Sequence, residues 1–357
     1  RSHAAPRTLG EDTPSAIKRI RDMLDMSRRR PVMRSREELL EVAAAVATPK
    51  RELMFTTVSM DNHKYQLVFL RQWLGHLGAR ARNVLIVGAN EETCTTAREA
   101  SLPCFVDGAS PRQRGKQNGF GNQVTLKWWV AMVLAQANFH LIFSDPDIAW
   151  LRDPFHAWDR SYDFQGLSDI RHVNVTTQKH HEITCLRPWM ENMYEHGKRS
   201  IYPCQSTGMW YARATPPTKA FLEGLHGYLA VRPNEWEQKA YQLIVMRYLV
   251  GLGDELPPLR YRLLPTARHI NIEYYEERLR LGLPVDGMVG VHCGYLKEEG
   301  DKIEHLERHG FLRRGIERHA MMARLLANQS VQGFVYNASL ALRLRRKRNS
   351  SISVVVR

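Results

Sequence analysis

Two aspartates one residue apart, Asp145 and Asp147, stand in the segment Phe143-Ser144-Asp145-Pro146-Asp147-Ile148-Ala149-Trp150-Leu151-Arg152-Asp153-Pro154-Phe155. They follow the apolar run Phe139 to Phe143, which is short enough for a buried strand. In an α/β sheet, ligands bind beyond the carboxyl ends of the strands. Two carboxylates at such an end, with the restricted Pro146 between them, can hold a hard divalent cation. Such a cation takes oxygen ligands and commonly shares its site with substrate phosphates. Asp-x-Asp alone is a weak signal, because aspartate also populates turns through local hydrogen bonds. Here the buried strand before the pair, and Trp150 and Asp153-Pro154-Phe155 after it, strengthen the metal reading.

The elements around this pair alternate between strand and helix signals. Leu53 to Ser59 is apolar and β-rich and predicts the first strand. Asp61-Asn62 then opens a helix from His63 to Leu77, with Leu67, Leu70, Trp73 and Leu74 on one face. A strand over Val84 to Val87, a helix over Glu91 to Ala100 and a short strand over Cys104 to Val106 follow. The Gly-, Arg- and Lys-rich stretch Gly108 to Gly121 lacks the Gly-x-x-x-x-Gly-Lys phosphate-loop spacing and reads as an ordinary loop. Asn122 caps a helix over Gln123 to Asn138 that feeds the aspartate strand. This alternation predicts an α/β fold with a parallel sheet. Downstream, strand-like Tyr162 to Leu167 ends at Ser168-Asp169, and Gln205 to Tyr211 precedes a helix over Pro216 to Leu229. Further helices are expected over Glu235 to Val250 and Gly315 to Ala327, with a strand and loop over Met288 to Tyr295. His172, His180 and His181 read as surface histidines, since adjacent side chains do not face one site in regular structure.

The segment around Asp145 resembles the Asp-x-Asp region of glycosyltransferase family 77. That family comprises nucleotide-diphospho-sugar transferases of GT-A fold, among them plant, algal and protist xylosyl-, arabinosyl- and galactosyltransferases. Its members read Ser-Asp-x-Asp, then an aromatic, then Asp-Pro-Phe, and the likeness extends from Phe55 to Phe311. It implies an α/β, GT-A type, Rossmann-like fold with a central, mostly parallel sheet flanked by helices. It puts Thr57 and Asn62, at the exit of the first strand, on the substrate side. Thr125 and Lys127 partly match a Thr-x-x-Lys helix turn, so Lys127 faces the donor diphosphate unless it is a solvated lysine on an apolar helix. Asp169 ends a strand in the family manner, and Ser206 and Gly208 stand near an Asn-Ser-Gly motif. There the chain departs from the pattern, with Gln205 near the Asn position and Thr207 inserted. Glu237-Gln238 is a one-methylene-longer form of the family's Asp-Gln pair. That resemblance makes it a catalytic candidate contacting donor or acceptor sugar; otherwise it is an acidic first helical turn favoured by the helix dipole. His292 fits a Val-His-x-Asn motif in which Gly294 replaces the Asn, followed by Gly300 and Lys302. His292, Gly294 and Lys297 also fit the His-x-Gly-x-x-Lys arrangement of other retaining GT-A enzymes, where the His completes the metal site and the Lys meets the diphosphate. A lone His after an apolar strand is otherwise a core residue.

The chain of 357 residues carries 51 basic and 37 acidic residues, for a net charge of +14. That suits an acidic partner, but the densest basic clusters, Arg28-Arg29-Arg30 and Arg343 to Arg348, sit near the ends. Charge therefore reads as a basic stem or linker over residues 1–36 and a basic tail over residues 328–357, around a transferase domain at 37–327. A hydrophobic content of 43% excludes a disordered chain. No apolar run crosses a bilayer; the longest, Trp128 to Ala135, sits in a helical pattern. The chain does not begin with Met, which reads as a fragment or processed form and leaves an N-terminal membrane anchor open. Cys94, Cys104, Cys185, Cys204 and Cys293 have no Cys-x-x-Cys spacing, which argues against structural zinc, and their odd count leaves a thiol unpaired. Sequons at Asn174, Asn328, Asn337 and Asn349 lean toward a secretory lumen.

Together these readings predict a glycosyltransferase, and the resemblance implies that it retains anomeric configuration. It moves a pentose or galactose from a UDP-sugar to a glycan or glycoprotein acceptor, with Mn²⁺ or another divalent cation on Asp145, Asp147 and His292. Lys297 or Lys302 adds positive charge over the diphosphate. The expected location is the Golgi or secretory-pathway lumen, as a type II membrane protein in the full-length form. Two rival classes fit parts of the sequence: a nucleotide-sugar-binding protein without turnover, and a basic nucleic-acid-binding module using the termini. The intact Asp145, Asp147 and His292 argue against the first; the second would rest on the basic tail and need no metal, and the transferase reading is preferred over both, so no nucleic-acid partner is expected.

Overall fold

The computed structural model describes residues 35–58, 83–88, 94, 104–106, 121–169, 205–232, 235, 237–249, 258–294 and 299–311. The chain divides into two units, Arg1–Leu306 and Glu307–Arg357. In the second, described over 307–311, Gly310 takes a φ of +71°, a conformation that costs glycine nothing. All the described strands lie in the first.

Seven strands form the central sheet: β1 (Glu52–Val58), β2 (Val84–Gly88), β3 (Cys104–Val106), β4 (His140–Ser144), β6 (Phe164–Ser168), β7 (Gln205–Ala212) and β8 (Tyr261–Leu263). Their order is β3-β2-β1-β4-β7-β6-β8. Only β7 runs against its neighbours; the other pairings are parallel. This is the mostly parallel α/β sheet that the sequence predicts. β1 is buried along its whole length, as expected for a central strand covered on both faces.

Alternation assigns the two faces. Leu53, Phe55, Leu141, Phe143, Phe164 and Trp210 join one core with the helices α1 (Arg36–Val46), α2 (Gly121–Gln136), α3 (Pro216–Ala230) and α4 (Glu237–Leu249). Their neighbours Met54, Ile142, Leu167, Met209 and Tyr211 join the other, with Ile148, Trp150 and Trp158. The first core is built on aromatic stacking: Trp210 lies 5.3 Å from Trp128 at 10° and 5.3 Å from Phe143 at 20°.

α2 leads into β4 through a Schellman turn. Asn138 has a φ of +64°, its N–H donates to Ala135 O (2.9 Å), and the Phe139 N–H donates to Leu134 O (3.0 Å). The helix spans Gly121–Gln136, so Asn122 lies inside it and is not its cap. Helix ends read from side chains alone commonly shift by a residue or two. A second, three-stranded sheet has the order β5 (Ile148–Trp150), β10 (Gly290–His292), β9 (His269–Asn271). Sequence periodicity does not announce β5, β8 or β9, because three residues carry too little alternation. α5 (Ile272–Arg280) was also not foreseen, although Asn271 caps it by accepting from the Tyr274 N–H at 2.8 Å. α6 (Glu299–Arg308) follows β10. Cys94 and Cys104 form a disulfide, and Cys293 is buried and unpaired. The helices expected over His63 to Leu77, Glu91 to Ala100 and Gly315 to Ala327 fall outside the described residues, apart from the single helical residue Cys94.

His269 is fully buried on β9, with its ring stacked 5.2 Å from Trp158. Burial lowers its pKa to about 3, helped by the charges of Arg268 and Arg262. The unfolded chain, with an ordinary histidine pKa of about 6.5, therefore binds a proton that the native state does not over the interval between. Stability should be full above about pH 6.5 and fall as the pH drops toward 3, by up to about 1.4 kcal/mol per unit from this residue. Urea unfolding across pH 4 to 7 should show His269→Leu with a visibly flatter slope than the wild type. Equal slopes would remove His269 as the cause.

Candidate functional site

The carboxyl ends of β1, β4 and β6 lie on one edge of the central sheet, which is where an α/β sheet presents a ligand site. β4 delivers Ser144 and then Asp145. The Asp145 N–H donates to Gly208 O on β7 at 2.7 Å, and the Ile148 N–H returns to Asp145 O at 3.3 Å. The chain thus turns within Asp145 to Ile148 and leaves along β5. Ser144 Oγ accepts from Trp150 Nε1 at 3.0 Å, tying the exit to the strand.

β5 pairs antiparallel with β10, placing His292 opposite Ile148. The Cys293 N–H donates to Asp147 O at 3.1 Å. This register brings His292 to the aspartates from 145 residues further along than Asp147. Its Nε2 lies 3.4 Å from Asp147 Oδ1 and 3.7 Å from Asp145 Oδ2. One ligand atom from each of the three side chains falls within 4.8 Å of the others.

Two glycines make room for the imidazole. A Cβ on Gly208 would lie 2.5 Å from His292 Cε1 and 2.8 Å from Asp145 Oδ2. A Cβ on Gly294 would lie 2.4 Å from His292 Cε1. Any larger residue at either position must displace the ring. Ser206 Oγ lies 3.4 Å from His292 Nδ1 and accepts from the Gly208 N–H at 3.1 Å. With the proton on Nδ1 and facing Ser206, Nε2 keeps its lone pair toward the aspartates.

Charge is distributed unevenly over the group. Burial raises the Asp145 carboxyl to about 6; Lys127 opposes this and Asp147 adds to it. Burial would also raise Asp147, but the charges of Lys302 and His292 outweigh it and hold this carboxyl far below the usual range. Burial would lower His292, and the Asp147 charge reverses that. Lys302 Nζ lies 2.8 Å from Asp147 Oδ2, whereas Asp147 Oδ1 is buried without a hydrogen bond.

Lys127 departs from the reading of a solvated lysine on an apolar helix. It is not solvated: it is 4% exposed, ion-paired with Glu237, donating to Thr207 O at 3.2 Å and lying 4.6 Å over the Phe143 ring. The apolar helix on which it sits is buried, so its ammonium had to find an internal partner. Glu237 also accepts from Trp128 Nε1 at 2.9 Å, a link the apolar pattern of α2 gave no reason to expect. Gln238 donates to Asp169 at 2.7 Å, tying α4 to the end of β6. Thr57 is buried at the end of β1. Asn62 and Lys297 lie outside the described residues, as do His172, His180 and His181.

A profile of the nucleotide-diphospho-sugar transferases matches residues 79–306, and the chain belongs to that family. It is a glycosyltransferase, and its donor is a nucleotide-linked sugar. No curated protein sequence matches it. Similar solved structures include a glycosyltransferase involved in the glycosylation of the major capsid of PBCV-1, with 15% identity, TM-score 0.38, and coverage of 72% of this chain and 98% of that one. Mouse xyloside xylosyltransferase 1 shows 12% identity, TM-score 0.38 and coverage of 69% and 100%. The galactosyltransferase LgtC, in complex with donor and acceptor sugar analogs, shows 11% identity, TM-score 0.42 and coverage of 75% and 98%. These scores are low, and the assignment rests on the family match.

The Lys127–Glu237 pair predicts a stability phenotype. Lys127→Met leaves a buried carboxylate without its cation and should cost about 3 kcal/mol or more. Adding Glu237→Gln should recover most of that loss, because no uncompensated charge then remains. Urea unfolding of the two variants checks this; a Lys127→Met protein as stable as the wild type would contradict it.

Proposed function

We propose that the chain moves a sugar from a UDP-linked donor to a glycan or glycoprotein acceptor, using a divalent cation held by Asp145, Asp147 and His292. The observation that supports this most directly is their convergence within 4.8 Å at the ligand edge of the sheet. The donor set fits such an ion. Asp147 Oδ1 is buried without a hydrogen bond and faces His292 Nε2, and the glycine cradle leaves the imidazole in place. A mixed carboxylate and imidazole set favours Mn²⁺ over Mg²⁺. When bound, the cation supplies positive charge to the diphosphate that departs as the anomeric bond breaks.

The chain's own residues do the remaining work. Ser206 orients His292, and the Asp145 N–H bond to Gly208 O holds the first carboxylate at the strand end. Lys127 neutralises Glu237 beneath Asp145. Glu237 and Gln238, at the start of α4, are the candidates to meet the sugar, with Asp169 fixing Gln238. Thr57, Asn62, Lys297 and Lys302 remain substrate-side candidates by position in the sequence. Retention of anomeric configuration, and a pentose or galactose as the transferred sugar, follow from the resemblance to family 77. No residue is assigned as nucleophile.

A Golgi or secretory-lumen setting, with a type II anchor in the full-length form, agrees with the Cys94–Cys104 disulfide and the sequons. No helix among the described residues is long and apolar enough to cross a membrane. The organisation proposed is a basic stem over residues 1–36, a transferase domain over 37–327 and a basic tail over 328–357.

Hydrolysis of, or transfer from, a UDP-sugar should vanish on chelation and return with Mn²⁺. Asp147→Asn and His292→Ala should each lower it by about tenfold or more. The double variant should lose less than the sum, because both side chains act through one ion. Activity that survives thorough chelation, or strictly additive losses, would contradict the proposal.

A further inference from the structure

Lys302 occupies an unusual position for a lysine beside a cation site. It is the fourth residue of α6, and its side chain is 18% exposed. Its ammonium rests 2.8 Å from Asp147 Oδ2, and among the described residues this is its ion pair. Lys127 stands differently: its charge is taken up by Glu237. The Lys302 charge is therefore committed to a carboxylate that also faces His292. An ammonium and a dication repel each other, and in a water-poor setting that repulsion is weakly screened. The free oxygen Oδ1 faces His292, so a cation can reach Asp147 there while the ammonium holds Oδ2, but against that repulsion.

We propose that Lys302 is an internal competitor of the divalent cation: a cation on Asp147 Oδ1 meets the repulsion of the ammonium on Oδ2 and gains both oxygens only when the ammonium lets go. This rests on the reading of Asp145, Asp147 and His292 as the cation site. Lys302 then sets how tightly the chain holds a cation by itself. It holds the Asp147 side chain in place before binding, and it makes cation affinity depend on the position of α6. Its role is to position and tune Asp147, and no contact with the reacting atoms is assigned to it.

Titration calorimetry on the full chain with MnCl₂ alone tests this. Lys302→Met should bind Mn²⁺ about tenfold or more tightly than the wild type. Lys302→Arg, which keeps the charge, should stay close to the wild type. The gain should disappear when Asp147→Asn is added. A second readout uses the unaltered protein: Mn²⁺ should raise the labelling of Lys302 by an amine-reactive reagent, read by peptide mass spectrometry. This readout stands alone if Lys302→Met does not fold. Unchanged or weaker Mn²⁺ binding by a folded Lys302→Met protein, or labelling of Lys302 that Mn²⁺ leaves unchanged or lowers, would overturn the proposal. If Asp147→Asn leaves Mn²⁺ binding intact in both backgrounds, the cation site itself is misplaced. If Asp147 matters and Lys302→Met brings no gain, the competition alone is wrong.

Discussion

Asp147 joins parts of the chain that are far apart in sequence. Its carbonyl accepts from Cys293, one carboxylate oxygen accepts from Lys302, and the other faces His292. These contacts reach β10 and α6, both well over a hundred residues downstream. A buried carboxylate that must stay charged needs cations around it, because desolvation otherwise forces it to take up a proton. Asp147 meets that need with Lys302 and His292. Asp145 meets it less well: burial raises it to about 6, with Lys127 opposing and the Asp147 charge adding to the rise. Two aspartates separated by one proline thus have opposite electrostatic settings, fixed by what the rest of the fold brings to each.

The scaffold that makes this possible is simple. Parallel strands β1 and β4 put their carboxyl ends on one edge, and antiparallel β7 crosses beside them with Gly208 facing the site. The second sheet then supplies His292 through the β5–β10 register. Shifting that register by one residue would turn His292 to the other face and replace it with Val291 or Cys293. The glycines at 208 and 294 work in the same direction, since the imidazole sits where their side chains would be. The geometry is therefore over-determined by backbone pairing, absent Cβ atoms and the Ser206 contact, as a site that must be ready before its ligand arrives requires.

Much of this was legible in the sequence because the signals are local. The apolar run before Asp145 and the continuous hydrophobic strands β1 and β2 predict a parallel sheet, and the sheet forms. His292 was reachable only through its resemblance to a family pattern. Nothing in Val289 to Tyr295 says where that strand pairs. The internal partner of Lys127 was not legible for a related reason. A lysine on an apolar helix looks the same whether it reaches solvent or a buried carboxylate 110 residues away, and only the packing of α2 against α4 decides. The short strands β5, β8 and β9 were hidden by their length. β5 is the one that mattered, since its pairing with β10 brings His292 to the aspartates.

The most direct test of this account is a crystal of the protein grown or soaked with Mn²⁺ and UDP, with diffraction recorded at the manganese edge. Anomalous scattering locates the ion without any assumption about activity. The account predicts one strong peak within bonding distance of Asp145, Asp147 and His292 Nε2, with the diphosphate on its open side. A peak bonded to the aspartates while His292 stays with Ser206 and away from the metal, or a well-ordered UDP with no peak in this group, would contradict it.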